Sequence, residues 1–322
     1  MLDVLVTCLP HGPTVAAYPQ VRGHYLAKHL ARSGLRAEFR ELPLPSARCR
    51  VVICSEYQCP AEYFRRELEP LLTEIKAERM YCMAARTLLG LRDQFSREYR
   101  EWFAATGGGV LCHLPTDKLE PYDSWIGVGV DPDVIPAPVG PSNRVLFDFP
   151  RSSNEDAAST FDVTVLDEVR SQLSECTIAG SGPEDAPVRD AFDEWIAYGQ
   201  DHPTYVRAAY RNLFAFVPGW RESMGMPFAE AQMAGACIVF SETQAPEPML
   251  CPDAAISYQA GNPRSLARAL TDARTRDRSR IREQAAQRFD FTEVVKRTRA
   301  AIGLTQPGLM AKLAGIARRT RA

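Results

Sequence analysis

Gly219-Trp220-Arg221-Glu222-Ser223-Met224-Gly225-Met226-Pro227-Phe228-Ala229-Glu230-Ala231-Gln232-Met233-Ala234-Gly235-Ala236 is the stretch whose reading decides the fold. The apolar run Leu213–Val217 in front of it predicts a strand that delivers the chain to a glycine-containing turn. Pro227 then suits the first turn of a helix, because the N–H that proline lacks has no partner there in any case. The amides of Gly225, Met226 and Phe228 would project from that helix start, where the helix dipole favours an anion. Glu222 stands before this anion site, and Glu230 lies one turn inside the helix. A phosphate cradle flanked by two hydroxyl-binding carboxylates suits a nucleotide sugar.

Strand and helix patterns alternate outward from this motif in both directions, which predicts an α/β architecture with mainly parallel sheets. In the first half, Leu2–Thr7, Leu35–Leu42, Arg50–Ser55, Arg79–Ala84 and Val110–Leu114 read as strands. Tyr18–Ser33, Ala61–Glu78 and Thr87–Ala105 read as helices. The stretch 115–141 is rich in Pro, Gly and Asp and reads as the linker between two domains. Beyond it, strands are expected at Arg144–Phe149, Thr177–Ala179, Cys237–Phe240 and Ala254–Tyr258. Helices are expected at Phe161–Leu173, Thr204–Asn212, from Asn262-Pro263 onward, and as a pair within Arg278–Gly303. Gly180-Ser181-Gly182-Pro183 reads as a tight loop. His24 and His29 fall within a helix and read as structural.

A chain of 322 residues suits two domains, and 45% hydrophobic with 24% charged residues is a soluble globular composition. The net charge of -2 argues against nucleic acid as a partner. The nine cysteines are scattered without a CxxC pair, so they read as reduced, mostly buried thiols in a cytoplasmic protein. No metal-ligand cluster is evident. The N-terminus lacks a basic leader, and no apolar run approaches the ~18 residues of a membrane span.

Several runs in the second half, in order, resemble the donor-binding domain of GT-B glycosyltransferases of the retaining GT4 type. Glu222 and Glu230 match that family's E-x7-E motif. Glu230-Ala231-Gln232-Met233-Ala234-Gly235-Ala236-Cys237-Ile238-Val239 resembles its "EAMACGTPVV" run, and Ala179-Gly180-Ser181-Gly182-Pro183 its "GxGP" loop. Tyr198-Gly199, Gly261-Asn262-Pro263-Arg264-Ser265-Leu266 and Gly129-Val130-Asp131 match a strand end, a "GDPEAL" helix start and the "GVD" of the domain junction. The likeness covers roughly Gly127 to Leu270 well, and the first half only by pattern.

The resemblance implies two Rossmann-like domains whose parallel sheets face a central cleft. Their expected limits are 1–126 for the acceptor and 127–303 for the donor, with a basic helix over 304–322. It implies metal-independent, retaining transfer of a sugar from a nucleoside diphosphate sugar, UDP- or GDP-linked, to an acceptor hydroxyl that the sequence does not specify. No bound cofactor is implied. Glu222 would bond the donor sugar and Glu230 the ribose hydroxyls. Gly225, Met226 and Pro227 would form the phosphate-binding helix start. Arg151 would clamp the diphosphate, with Arg221 as a second candidate, since the family's usual lysine is replaced here by Asn154-Glu155-Asp156. Gly180, Ser181, Tyr198 and Gly199 would frame the nucleobase. From the first half, Gly12 would approach the phosphates, and His113 would reach the donor sugar or else simply pack.

Two other functions fit the same residues. One is a nucleotide-sugar epimerase of the same fold; the other is a non-catalytic GT-B chain that binds a nucleotide or a partner. From Arg264 to Ala322 there are 15 Lys and Arg against 5 Asp and Glu, an excess of ten positive charges. Leu309–Arg319 is amphipathic by period, which fits either peripheral contact with an anionic membrane or a terminal helix packed across both domains.

Overall fold

Short apolar runs that alternate with amphipathic ones build two parallel sheets, seen in a computed structural model. The structure describes residues 1–10, 18–44, 46–56, 61–84, 97–114, 120–137, 141–149, 161–218, 226–243 and 249–304. In the first half, β1 (Leu2–Cys8), β2 (Ala37–Glu41), β3 (Arg48–Cys54), β4 (Lys76–Ala84), β5 (Gly109–Cys112) and β6 (Asp123–Trp125) form a sheet of order β2-β1-β3-β4-β5-β6. In the second, β7 (Arg144–Asp148), β8 (Thr177–Gly182), β9 (Glu194–Ala197), β10 (Leu213–Pro218), β11 (Cys237–Ser241) and β12 (Ala255–Tyr258) give the order β12-β11-β10-β7-β8-β9. Every pairing is parallel. The second order is doubly wound and reverses between β7 and β10; the first reverses between β1 and β3. Ligands of open α/β sheets bind at such reversals, outside the carboxyl ends of the strands.

The helices are α1 (Tyr18–Arg32), α2 (Ala61–Tyr63), α3 (Glu69–Thr73), α4 (Arg97–Ala105), α5 (Val165–Gln172), α6 (His202–Tyr210), α7 (Met226–Met233), α8 (Pro263–Arg274), α9 (Arg278–Arg288) and α10 (Phe291–Ala301). Local chemistry explains several of their ends. Asn262 accepts from the amide of Ser265 at 3.1 Å and caps α8, with proline next. Asp201 caps α6 in the same way. At the end of α7, Gly235 has φ +86°. Its amide bonds to Gln232 at 2.8 Å and the amide of Ala236 to Ala231 at 2.9 Å, the paired closure that a left-handed glycine permits.

Four sequence expectations are corrected. The helix expected over Ala61–Glu78 ends at Thr73, and Lys76 already belongs to β4 beside Arg48. The linker stretch contains β6, an edge strand anchored by the buried ion pair of Asp123 with Arg100 of α4. The strand whose end was expected at Tyr198-Gly199 is β9, which stops at Ala197. The tight loop expected at Gly180-Ser181-Gly182 is instead the last part of β8, paired to β9. Its glycines serve packing: a Cβ on Gly180 would sit 2.4 Å from the Trp195 ring, and one on Gly182 would sit 2.9 Å from it.

Contacts between the two halves place the cleft. Helix α10 packs on α1, and Arg299 donates to the Ser33 carbonyl at 2.7 Å. His29 stacks on Phe291 with ring centroids 4.2 Å apart, and it lies beside the buried Asp131 of the junction. Lys28 pairs with the same carboxylate and with Asp133. Burial opposes the charge on Asp131, but bonds from His29 and Lys28 outweigh it and hold the carboxyl well below its usual range. One apolar cluster runs from β1 through Val128 and Val130 into the second sheet. Eight of the cysteines are free and buried, and burial raises thiols such as Cys8 to about 12. Cys59 lies outside the described residues. Among the described residues no helix is long and apolar enough to cross a membrane.

Candidate active site

The second sheet reverses between β7 and β10. β7 ends at Asp148 and β10 at Pro218, which are direct neighbours in register. Arg151 follows the first strand in sequence, and Arg221, Glu222 and Gly225 follow the second. These four residues lie outside the described residues, as does Gly12, which follows β1. Met226 and Pro227 begin α7, as the proline predicts. All eight residues of α7 are buried, so its single ionisable side chain, Glu230, is held inside protein.

Glu230 is engaged at both oxygens. Nε2 of His202 lies 2.9 Å from Oε1, and the Tyr210 hydroxyl donates to Oε2 at 3.2 Å. Only 3% of the side chain is exposed, so contact with a ribose requires local movement at this end of the cleft. Gln232, two residues on, is bonded wholly within the protein. Its Nε2 donates to the carbonyls of Phe228 and Met249, and its Oε1 accepts from the amide of Cys251, which ties α7 to the segment before β12.

The side chains of Ser181 and Tyr198 converge on Asp148, a residue that the sequence reading did not name. Both hydroxyls donate to Oδ1 of Asp148, Tyr198 at 2.6 Å, and Tyr205 of α6 adds a third donor at 3.2 Å. Burial pushes the Asp148 carboxyl up, against the three hydroxyl bonds that favour its charge. The visible signal was an acidic residue directly after the apolar run Val145-Leu146-Phe147. Gly180 is filled by the Trp195 ring and offers no open backbone, whereas a Cβ on Gly199 would meet open space.

From the first half, His113 comes to the cleft. It lines a small cavity with Arg22, Tyr25, Gly127 and Met226, the first residue of α7. A carbonyl oxygen only accepts, so Nδ1 of His113 carries the proton that bonds Gly127 O at 3.1 Å. Nε2 is then a lone-pair acceptor, buried and without a hydrogen-bond partner among the described residues. Burial, with the Arg22 charge second and the bond to Gly127 opposing, pushes the imidazole down to about 3. The ring is therefore neutral at pH 7. Arg22 is 5% exposed, an arginine of α1 brought into the cleft close enough for its charge to act on His113. Neither it nor Tyr25 and His202 were singled out in the sequence, because their significance rests on tertiary contact.

Similarity to solved structures agrees with this layout. A sucrose-phosphate synthase from Thermosynechococcus elongatus matches 98% of this chain and 100% of its own at a TM-score of 0.57 and 12% identity. Anabaena HepE in complex with UDP matches 94% and 100% at 0.57 and 11% identity. A glycosyltransferase from Rickettsia africae matches 94% and 98% at 0.54 and 14% identity. The chain has the GT-B fold. No protein-family model and no curated protein matches the sequence itself. At these identities the likeness establishes the architecture, and function must be argued from the cleft.

Proposed function

We propose that the chain is a retaining, GT4-like glycosyltransferase that moves a sugar from a nucleoside diphosphate sugar to an acceptor hydroxyl. The observation that carries this reading is the meeting, in one cleft, of the α7 helix start with Arg22 and the neutral His113 of the other half. Residues 127–303 hold the donor, with the diphosphate at the start of α7 and the nucleoside toward Glu230, Ser181 and Tyr198. Residues 1–126 present the acceptor. Support comes from the two reversal points and from HepE, which has been crystallised with UDP and with UDP and glucose.

In this scheme charge that develops on the departing diphosphate is met by the amides of Gly225 and Met226, by Arg151, and by Arg22 from across the cleft. The last supplies a cation where the family pattern has a lysine that this sequence lacks. Glu222 bonds the sugar hydroxyls. Nε2 of His113, a neutral acceptor, takes a hydrogen bond from a donor-sugar hydroxyl without adding charge. The leaving phosphate itself accepts the proton of the attacking hydroxyl, so retention needs no protein nucleophile. The chain works in the cytoplasm, where its basic 304–322 segment adds affinity for an anionic membrane surface.

Calorimetry with UDP, GDP, ADP and dTDP tests the reading directly. Binding of at least one, together with slow release of free sugar from the matching donor and its loss in Glu222→Ala at unchanged melting temperature, is the expected outcome. No heat with any of the four would overturn it. Isomerised donor without acceptor would instead favour an epimerase.

A further inference from the structure

The bonds that close Glu230 continue beyond its own domain. On the far side of the His202 ring, Nδ1 lies 3.0 Å from the hydroxyl of Tyr25, and the two rings meet edge-on with centroids 5.5 Å apart. Tyr25 comes from α1, which packs on the first sheet; His202 begins α6 and Glu230 lies in α7, both of the second half. Tyr25, His202, Glu230 and Tyr210 are all buried. The carboxylate accepts, so Nε2 of His202 donates to it. Nδ1, on the other edge of the ring, bonds the Tyr25 hydroxyl. One ring thus bridges Tyr25 of α1 and Glu230 of α7.

We propose that Tyr25 and His202 are positioning residues through which the acceptor half sets the nucleotide carboxylate Glu230. This rests on the assignment of Glu230 to the ribose. A carboxylate offers about four acceptor sites, and His202 and Tyr210 occupy one on each oxygen. Among the described residues one site per oxygen is left, the pattern a vicinal diol would use once local movement admits it. If the His202 ring turns, Oε1 loses its donor and the remaining lone pairs are no longer aimed together. The Tyr25 hydroxyl is what fixes that ring, because a turned imidazole would leave either Nδ1 or the hydroxyl buried without its partner. The coupling is reciprocal: if the contact between halves favours nucleotide binding, bound nucleotide favours the contact. Occupancy of the donor site would thereby hold the two halves together around the acceptor.

The test is a double-mutant cycle read by calorimetry with whichever of UDP, GDP, ADP or dTDP the wild type binds. Tyr25→Phe keeps the ring and deletes one hydrogen bond, so its affinity should fall roughly fivefold. In a His202→Phe background the same change should have no effect, since the intermediary is gone. Thermal melts check that each variant is folded, and His202→Gln replaces His202→Phe if the latter is not. An equal loss in both backgrounds would mean that Tyr25 acts through general packing, and no loss in the wild-type background would mean that it does not act at all. Either result overturns the proposal while leaving nucleotide binding intact. A wild type that binds none of the four removes the functional reading and this coupling with it.

Discussion

Replacing His113 by asparagine separates two tasks that one ring performs through its two nitrogens. An asparagine amide N–H can take over the bond from Nδ1 to the Gly127 carbonyl, but it has no counterpart of Nε2 and does not titrate. The imidazole is held down to about 3 from an ordinary value of 6.5, so between these limits the unfolded chain binds a proton that the folded chain refuses. Stability from this residue is therefore complete above pH 6.5 and is lost as pH falls toward 3, with a slope approaching 1.4 kcal/mol per pH unit. From pH 7 to pH 5 the loss amounts to about 2 kcal/mol. Denaturant melts of wild type and His113→Asn at the two pH values isolate that quantity, because the other titrating groups are common to both proteins. The wild type should lose about 2 kcal/mol more than the variant over this interval. Parallel pH profiles would show that the ring is not buried neutral in the cleft. In donor turnover the same variant should lose the cleft-facing acceptor and fall in rate even at pH 7, where both proteins are stable.

Three further outcomes follow from named contacts. Gly180→Ala forces a Cβ to within 2.4 Å of the Trp195 ring and should cost about 1–3 kcal/mol, read as a lower denaturant midpoint with altered tryptophan fluorescence; an unchanged midpoint would restore the open-loop reading. Asp131→Asn removes the buried charge that joins Lys28 and His29 at the junction. Its cost should stay below the ~3 kcal/mol of a fully buried pair, since Lys28 is 27% exposed and keeps Asp133; thermal melts measure it, and no change would refute the junction's role. Arg22→Gln should weaken nucleoside diphosphate binding roughly tenfold while leaving the bare nucleoside unaffected, and calorimetry with the two ligands distinguishes a phosphate contact from general damage.

Much of the fold was legible because it is written in local patterns. Buried strands such as β10 are unbroken apolar runs, and Pro227, Asn262 and Pro263 mark helix starts by their own backbone chemistry. The failures have physical causes too. Gly180 and Gly182 were read as turn formers, but glycine also appears where a large ring packs against a strand, and Trp195 stands more than a dozen residues away. β6 is short and polar because it is an edge strand held by Asp123 and Arg100, so its sequence carries no apolar signature. Lys76-Ala77-Glu78 looks helical in isolation, yet β3 recruits it into the sheet.

The candidate site divides along the same line. Glu230 was legible as a carboxylate at a helix start, because proline, glycine and acid stand close together in sequence. Its environment was not, because Tyr25 and His202 are 177 residues apart and neither belongs to a local motif. That separation follows from the architecture. Two doubly wound sheets each open a crevice at their own reversal. Among the described residues, α1 and His113 of one half meet the start of α7 of the other across one cavity. The residues on that seam must therefore satisfy both halves at once, and a hydrogen bond across it carries information that neither sheet contains alone. Mutations along the seam should thus alter nucleotide affinity and the contact between halves together, whereas mutations of buried apolar strand residues such as Val145 or Ile178 should alter stability alone.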